Sequence, residues 1–348
     1  MHMKEKHMFA GVNSPKGFFS RFDHIMPELP DGRKIFIKGG PGTGKSSLMK
    51  KIVKQAAEKD LKCEVFHCSS DPSSVDAVHI PDLKTAILDA TAPHNGDPLY
   101  PCIGGELFDV SPYIRREKLK FEPEEVMFYT LQKKRSFTKG YYYLAAALPL
   151  LRHIDSEYTE KSDVREIYSQ AEKLAQRVLG SSIIHDGGGR RELFISAITP
   201  EGFVNYADTV FSDTHCIAVK GRYGTALFMR RFAEIACMKG FSTIVFYCPM
   251  RLDEKMEHIY IPQLHITLTT YDYYTHATSA ETIDLDSFIY SAQSQDESQG
   301  YANMLMQRAI DAFGEAKNAH ARLENIYIPA MDFDGLNKCA MTLIDSIF

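Results

Sequence analysis

Short apolar runs alternate with an amphipathic stretch in the first part of the chain. Two runs, Arg33–Lys38 (R-K-I-F-I-K) and Cys63–Cys68 (C-E-V-F-H-C), carry the β-branched and aromatic residues typical of strands. A third run, residues 84–89 (K-T-A-I-L-D), is apolar up to a terminal aspartate. Between the first two runs we expect a helix over residues 44–59, because its apolar positions fall on one face: Leu48, Met49, Ile52, Val53 and Ala56.

Helical periodicity dominates the end of each half of the chain. It predicts helices over residues 124–134, 141–158 and 161–179, and again over residues 298–348. A strand, a helix and two further apolar strands favour a mostly parallel, doubly wound α/β sheet, here followed by a helical appendage. Ligands gather at the carboxyl ends of the strands in such sheets.

The pattern occurs twice. Residues 9–18 (F-A-G-V-N-S-P-K-G-F) match residues 194–203 (F-I-S-A-I-T-P-E-G-F), 185 positions later. Further matches follow in the same order: residues 35–39 with 217–221, residues 66–68 with 246–248, and Tyr158 and Asp163 with Tyr327 and Asp332. The offsets drift in small steps, as short loop insertions and deletions produce. We therefore predict two homologous domains, residues 1–186 and 187–348, each an α/β core with a helical appendage.

Three glycines mark the predicted boundary, in the segment D-G-G-G-R-R at residues 186–191. Glycines give a permissive hinge, so a plain linker is the simpler interpretation. The alternative is that Arg190 or Arg191 reaches a phosphate as an arginine finger.

Composition narrows the function classes. The 348 residues are 44% hydrophobic and 24% charged, which is typical of a globular protein. The net charge of −5 gives no basic excess for nucleic acid or an anionic membrane. No segment resembles a signal peptide or a membrane span, and the odd number of cysteines, seven, fits reduced thiols. We expect a cytoplasmic protein with neither nucleic acid nor membrane as a partner.

The strongest chemical signal is the loop G-G-P-G-T-G-K-S at residues 39–46, which fits the phosphate-binding pattern G-x-x-x-x-G-K-[ST] in full. A triphosphate must be met by many donors at close range. Glycines let backbone N–H groups turn inward, and the following helix adds the positive end of its dipole. We therefore predict ATP as the ligand, bound by Gly39, Gly40, Pro41, Gly42, Thr43, Gly44, Lys45, Ser46 and Ser47.

Mg²⁺ and catalytic roles follow from the residues around this loop. Lys45 is expected to bridge the β- and γ-phosphates, and Ser46 and Asp89 to bind Mg²⁺, Asp89 from the end of a neighbouring strand. The residue after Asp89 is Ala90, so the acidic pair of many ATP-driven motors is absent. The predicted catalytic residues are Lys45, Asp89 and Asp71, with Asp71 the candidate to activate water or an acceptor hydroxyl, although S-S-D-P is equally a good turn.

Other polar residues leave alternatives open. His94 has a counterpart, His276, in the second half, which favours a role in the fold, while a metal site formed by His67, Cys68 and His94 matches no known ligand spacing. Basic clusters at residues 115–120 and 133–135 resemble the phosphate-covering lids of nucleotide kinases, but on helices such clusters are more often solvated.

The second copy of the loop is degenerate. Residues 221–228 read G-R-Y-G-T-A-L-F, without the lysine and the hydroxyl residue, and two residues are deleted before Met229. Near the counterpart of Asp89 stand Thr269, Thr270 and Tyr271, with Asp272 the closest acid. Conventional MgATP binding should be very weak here. We expect this half to be a scaffold, a regulatory module or a site for a different ligand, with Arg222 a conceivable anion contact.

Three strings and the duplication resemble an uncharacterised family of tandem P-loop ATPases from Firmicutes, whose members are often labelled ATPase or nucleotide kinase. The strings are G-G-P-G-T-G-K-S, H-C-S-S-D-P-S-S-V-D-A-V-H-I-P and I-L-D-A-T-A-P-H-N-G-D-P, and the resemblance covers nearly the whole chain. It implies a cytoplasmic bacterial protein whose first half binds ATP, and it implies no substrate.

Three functions remain open at this stage. The first is a P-loop NTPase that hydrolyses ATP with Mg²⁺, in some cases under the control of a protein partner. The second is a kinase that transfers the γ-phosphate to a nucleotide or another small-molecule acceptor. The third is a nucleotide-sensing protein without turnover. The missing glutamate after Asp89 favours the second and third, whereas the family labels favour the first.

Overall fold

A computed structural model describes residues 5–27, 31–94, 96–98, 103, 105–119, 123–181, 183–184, 188–270, 281–290 and 297–348. The first half contains the strands β1 (Glu5–Met8), β2 (Gly11–Ser14), β3 (Gly17–Ser20), β4 (Arg33–Lys38), β5 (Cys63–Cys68), β6 (Asp71–Ile80), β7 (Thr85–Asp89) and β8 (Gly105–Asp109). Its helices are α1 (Lys45–Glu58), α2 (Pro123–Thr159) and α3 (Val164–Leu179).

The second half repeats this order. Its strands are β9 (Arg190–Leu193), β10 (Ser196–Thr199), β11 (Gly202–Asn205), β12 (His215–Lys220), β13 (Thr243–Tyr247), β14 (Met256–Ile261), β15 (Ile266–Thr269) and β16 (Glu281–Asp284). Its helices are α4 (Ala207–Phe211), α5 (Thr225–Met238), α6 (Glu297–Tyr327) and α7 (Phe333–Ile347). None of the helices in the described ranges is both long and apolar enough to cross a membrane.

Both halves form a six-stranded mixed sheet of the same topology. The strand orders are β1-β5-β6-β7-β4-β8 and β9-β13-β14-β15-β12-β16. In the first sheet β6 runs antiparallel to both of its neighbours, and the other neighbouring strands are parallel. In the second sheet β14 is the antiparallel strand. The fold is therefore α/β as predicted, and each sheet is mixed, with one antiparallel strand among otherwise parallel neighbours.

Strand β6 is the reason that the first sheet is mixed, and the sequence did not predict a strand that returns antiparallel to β5. A turn does occur at Ser69 and Ser70, as S-S-D-P indicates, but the chain then folds straight back as β6. Residues 75–80 (V-D-A-V-H-I) are all buried in this strand. The direct return places β6 between β5 and β7, where it separates two parallel parts of the sheet.

The described residues fall into two compact units that combine segments from both halves. Among the described residues, the N-terminal sheet unit comprises those within 5–142, 197–204 and 307–348, and the C-terminal sheet unit comprises those within 143–196 and 205–306. The predicted domains, 1–186 and 187–348, instead follow the chain. Helix α3 belongs to the first half of the chain but lies in the C-terminal sheet unit. The hydrophobic effect accounts for this placement, because α3 buries Ile167, Ala171 and Leu174 there.

The N-terminal sheet unit is built around the buried faces of β4 and α1. Ile35 and Ile37 of β4 pack with Met49 and Ile52 of α1, and all four side chains are fully buried. Helix α7 completes this cluster from the other end of the chain, through Leu336, Ala340, Leu343 and Ile347. The predicted strand Arg33–Lys38 and the helix over residues 44–59 are thus confirmed closely, as β4 and α1.

A glycine lets α2 and α6 approach each other in the N-terminal sheet unit. A Cβ atom on Gly140 of α2 would lie 2.3 Å from Cε1 of Phe313 in α6. The Phe313 ring is fully buried, with Phe137 and Tyr141 5.8 and 5.6 Å away between ring centroids. By contrast, a Cβ on Gly314, the next residue of α6, would meet no atom within 4 Å.

These two glycines should respond oppositely to alanine. Gly140→Ala should lower the free energy of unfolding by about 1–3 kcal/mol, because overpacking against Phe313 outweighs a gain of about 1 kcal/mol in helix propensity. Gly314→Ala, the matched control, should raise the free energy of unfolding by up to about 1 kcal/mol. Urea unfolding followed by far-UV circular dichroism measures both. A stabilised Gly140→Ala variant would contradict this helix contact.

Candidate functional site

The glycine loop, residues 39–46, turns the chain from the end of β4 into α1. Two of its residues have left-handed backbones: Gly42 with a φ of 67° and Gly44 with a φ of 87°. Side chains disfavour this conformation, so both positions require glycine. Gly44 is the residue that caps α1, whose first N–H groups are not consumed by helical hydrogen bonds. The loop therefore offers backbone donors beside a helix N-terminus, the arrangement that binds anions.

Lys45, the first residue of α1, folds back across the loop. Its Nζ atom donates hydrogen bonds to the carbonyl oxygens of Gly39 at 2.8 Å and Gly40 at 2.9 Å. The same atom lies 3.7 Å from Oδ2 of Asp89, and both side chains are largely buried. Thr43 fixes the loop further, because its hydroxyl donates to the Gly40 carbonyl at 2.8 Å. The Lys45 ammonium group is thus held at the loop by two neutral carbonyl oxygens, with the Asp89 carboxylate nearby.

Asp89 reaches the loop because β7 pairs with β4. Asp89 lies opposite Ile37, and Thr91 beyond it donates from its hydroxyl to the Gly39 carbonyl at 2.9 Å. The Asp89 carboxylate accepts from the Thr91 backbone at 2.8 Å. Ser46 also lies in α1, and its hydroxyl oxygen accepts from the Val75 N–H at 3.0 Å. These contacts orient both predicted Mg²⁺ ligands.

Asp71 lies at the start of β6 within a dense set of hydrogen bonds. Its carboxylate accepts from the hydroxyls of Ser73 and Ser74 and from Nζ of Lys317 in α6, the last at 2.9 Å. Burial raises the pKa of Asp71, but the bonds from Ser74, Lys317 and Ser73 outweigh it and hold the pKa below its ordinary value. A carboxylate with a low pKa is a weak general base, which disfavours the predicted water-activating role.

Sequence reasoning missed Asp76, which lies beside Asp89 on the neighbouring strand β6. Ala77 pairs with Leu88, so the next position places Asp76 opposite Asp89. One carboxylate oxygen of Asp76 lies 3.4 Å from Nε2 of His94. The pKa of Asp76 is raised to about 6, chiefly by burial; His94 opposes this shift and Asp89 adds to it. One signal existed in the sequence, because an acid, Glu257, stands at the corresponding position 181 residues later.

His94 is held by aromatic rings. It stacks on Phe22 at 4.5 Å between ring centroids and meets the edge of Phe18 at 5.2 Å. Its Nδ1 atom is buried and has no hydrogen-bond partner within the described part of the chain. This packing fits the predicted role in the fold. The counterpart His276 lies outside the described residues, as do Tyr271 and Asp272.

Sequence reasoning also missed Glu324, which α6 carries to the glycine loop. The Glu324 carboxylate lies near the Gly42 N–H, which acts to lower the pKa of Glu324. A Cβ on Gly42 would lie 3.3 Å from the Glu324 backbone and 2.8 Å from Cγ1 of Ile328. Lys133, in one of the two predicted basic clusters, approaches the same place and contacts His320 of α6 at 3.2 Å. No sequence signal pointed to Glu324, because it lies almost 300 residues from the loop.

In the degenerate loop of the C-terminal sheet unit, neighbouring side chains contact both Gly224 and Arg222. Gly224 again has a left-handed backbone and caps α5, and a Cβ there would lie 2.6 Å from Cδ1 of Ile167. Arg222, the conceivable anion contact, pairs with Asp286, whose carboxylate also accepts from the Arg222 N–H at 2.8 Å. The loop geometry is retained, but the cation beside it is already neutralised.

The remaining candidates have structural partners. His67 contacts His7 at 2.8 Å and the Pro72 carbonyl at 2.7 Å, and Arg190 forms an ion pair with Glu192 at 3.0 Å. Within the described ranges, no group of three or more His, Cys, Asp or Glu side chains could hold a metal ion. The alternative site at His67, Cys68 and His94 therefore receives no support, whereas Mg²⁺ beside a phosphate needs fewer protein ligands.

The geometry defines an α/β protein with a glycine loop, a buried lysine and a facing aspartate. No protein-family model matches the sequence, and comparison with curated proteins and with solved structures gives no match. The site therefore has to be interpreted from its own chemistry.

The buried Asp76 carboxyl makes stability depend on pH. Its folded-state pKa of about 6 lies above the ordinary value of 3.8, so the native state binds the proton more tightly. Stability should fall as pH rises through this window, by at most roughly 3 kcal/mol at 1.36 kcal/mol per pKa unit. Asp76→Asn should remove this loss, making the variant more stable than the wild type above about pH 6 and equal to it near pH 4.

Thermal unfolding midpoints measured across this pH range test the expectation. Glu58→Gln, which removes an exposed carboxylate of α1, serves as the control and should leave the pH dependence unchanged. Parallel pH dependences of the unfolding midpoint for Asp76→Asn and the wild type would show that ionisation of Asp76 does not lower the stability.

Proposed function

We propose that the N-terminal sheet unit binds MgATP as a P-loop NTPase and hydrolyses it. The observation that carries the proposal is the placement of Lys45. It begins a helix directly after a loop with two left-handed glycines, and its ammonium group spans that loop to lie beside Asp89. This arrangement suits a polyphosphate, which needs backbone donors and a cation at close range.

Phosphate binding would exchange one set of Lys45 contacts for another. The ammonium group now donates to two neutral carbonyl oxygens, Gly39 and Gly40. Phosphate oxygens carry full charge, and hydrogen bonds to charged groups are roughly twice as strong as those between neutral groups. Lys45 would therefore form stronger hydrogen bonds by turning from the two carbonyl oxygens toward the phosphates.

Ser46 and Asp89 fit Mg²⁺ by the chemistry of their donors. A hydroxyl and a carboxylate are hard oxygen ligands, which Mg²⁺ prefers, and it usually takes one or two protein ligands plus phosphate oxygens and water. The hydrogen bonds from Val75 to Ser46 and from Thr91 to Asp89 orient both donors. When bound, Mg²⁺ would neutralise charge on the transferring phosphate.

Asp76 is the better candidate than Asp71 for accepting a proton from water. A general base works best with a pKa near the working pH, and Asp76 has a pKa of about 6. Asp71 is instead committed to Lys317 and two serine hydroxyls. Hydrolysis would place the water proton on Asp76 as the water oxygen attacks the γ-phosphorus and ADP leaves.

Transfer to a small-molecule acceptor and nucleotide sensing are outcomes that the same assay separates. Ala90 follows Asp89 and offers no base, which favours these two alternatives unless another residue accepts the proton from water. The degenerate loop gives the C-terminal sheet unit a scaffold or regulatory role, because Arg222 is already paired with Asp286.

Lys45→Ala should abolish Mg²⁺-dependent phosphate release and weaken ATP binding at least about tenfold, a loss of about 1.4 kcal/mol. Phosphate release and calorimetric titration with MgATP measure the two effects. Lys54→Ala is the matched control, because Lys54 lies on the same helix with its side chain 80% exposed.

The outcome separates the alternatives. Equal phosphate release by Lys45→Ala and the wild type would refute the proposed site. Tight, Lys45-dependent binding without release would indicate the sensor. A large rise in ADP formation on adding a metabolite would indicate the kinase.

A further inference from the structure

An internal carboxylate stands where the glycine loop should meet phosphate. The Glu324 carboxylate lies near the N–H of Gly42, one of the backbone donors of the loop. Helix α6 holds Glu324 there tightly, because its backbone passes within 3.3 Å of the position that a Gly42 side chain would take. A phosphate oxygen would place the same negative charge beside this N–H group.

A chain of contacts links Glu324 to a second lysine. The Nζ atom of Lys133 lies 3.2 Å from Nδ1 of His320, and Nε2 of His320 lies 3.7 Å from the Glu324 carboxylate. Burial lowers the pKa of His320 to about 4, so the ring is neutral at pH 7. Lysine can only donate, so Nδ1 accepts and the ring N–H is on Nε2, directed toward Glu324.

The charges around Glu324 are those of an anion-binding site. Lys133 is mostly buried, and burial together with the nearby Lys45 lowers its pKa. Two like charges close together in a poorly solvated place need an anion between them. Asp89 lies 3.7 Å from Lys45 and Glu324 adds an anion that acts to raise the pKa of Lys133. This placement has a cost, because burial and the neighbouring Asp71 raise the pKa of Glu324.

The corresponding position of the C-terminal sheet unit is arranged differently. Asp155 precedes Glu324 by 169 positions, the offset that relates Tyr158 to Tyr327, and Arg251 follows Asp71 by 180 positions, as Cys248 follows Cys68. There the acid is neutralised directly, because Arg251 forms an ion pair with Asp155. In the unit with the intact loop, the corresponding acid, Glu324, instead lies against Gly42 of the loop.

We propose that Lys133 is a second phosphate-binding cation of this site, and that Glu324 is an internal anion which the nucleotide phosphate displaces from Gly42. The inference rests on the proposed function. It gives the C-terminal half of the chain a role in the first nucleotide site, because α6 supplies both Glu324 and His320. Phosphate would then be held by the loop amides, Lys45, Lys133 and the N–H of His320.

The two residues should have opposite effects on affinity. Lys133→Ala should weaken MgATP binding about tenfold, because a charge-assisted hydrogen bond is lost. Glu324→Gln should tighten it about tenfold, because the competing charge is removed while the shape is kept. The measurement is calorimetric titration of the full chain with MgATP and with a non-hydrolysable analogue, alongside phosphate release.

Two controls match these variants. Lys134→Ala removes the exposed neighbouring lysine of α2, and Glu315→Gln removes an acid of α6 that pairs with Lys139 rather than approaching the loop. Both should change affinity by less than about twofold, since neither group contacts the phosphate site. Lys133→Gln replaces Lys133→Ala if the latter does not fold, as judged by circular dichroism.

Each outcome decides the matter. Unchanged or weaker binding by Glu324→Gln would overturn the proposal while Lys45-dependent binding by the wild type keeps the proposed function. Loss of phosphate release with unchanged affinity would instead make Glu324 a water-activating group and also overturn it. Absence of Lys45-dependent binding in the wild type would remove both proposals.

Discussion

The missing side chains of the loop glycines are the constraint on which the rest of the site depends. Left-handed backbones at Gly42 and Gly44 turn β4 into α1 and leave amide donors beside the helix N-terminus. The same absence of Cβ atoms lets helices of the second half come close. Ile328 and the Glu324 backbone pack on Gly42, and Leu336 packs near Gly44. One local requirement thus shapes both the glycine loop and the helices that cover it.

The duplication shows which part of this arrangement is structural. Gly224 repeats the left-handed cap, and Ile167 packs on it from α3 as Leu336 packs on Gly44 from α7. These two apolar residues are themselves related by the offset of 169 positions. The glycine turn and its helical cover therefore persist where the lysine has been lost. Close packing of Ile167 on Gly224 gives this glycine a structural role in the degenerate copy.

The charged residues divide the two copies. In the C-terminal sheet unit, Asp155 with Arg251 and Arg222 with Asp286 are neutralised in pairs. In the N-terminal sheet unit, Asp76, Glu324 and Lys133 have pKa values shifted toward their neutral forms, with burial the largest cause for each. Buried groups of this kind lower the stability of the fold. Titratable groups with shifted pKa values that cluster beside a glycine loop are typical of functional sites.

The sequence by itself determined the local elements and the duplication. Apolar periodicity placed β4, β5 and α1 within a residue or two, and the glycine spacing located the loop, because these features depend on neighbouring residues. Only the tertiary structure decided that β6 runs antiparallel, that helices are exchanged between the halves, and that Glu324 and Asp76 face the loop. Those contacts join residues far apart in the chain, and their energies come from burial and charge in three dimensions, which no local pattern encodes.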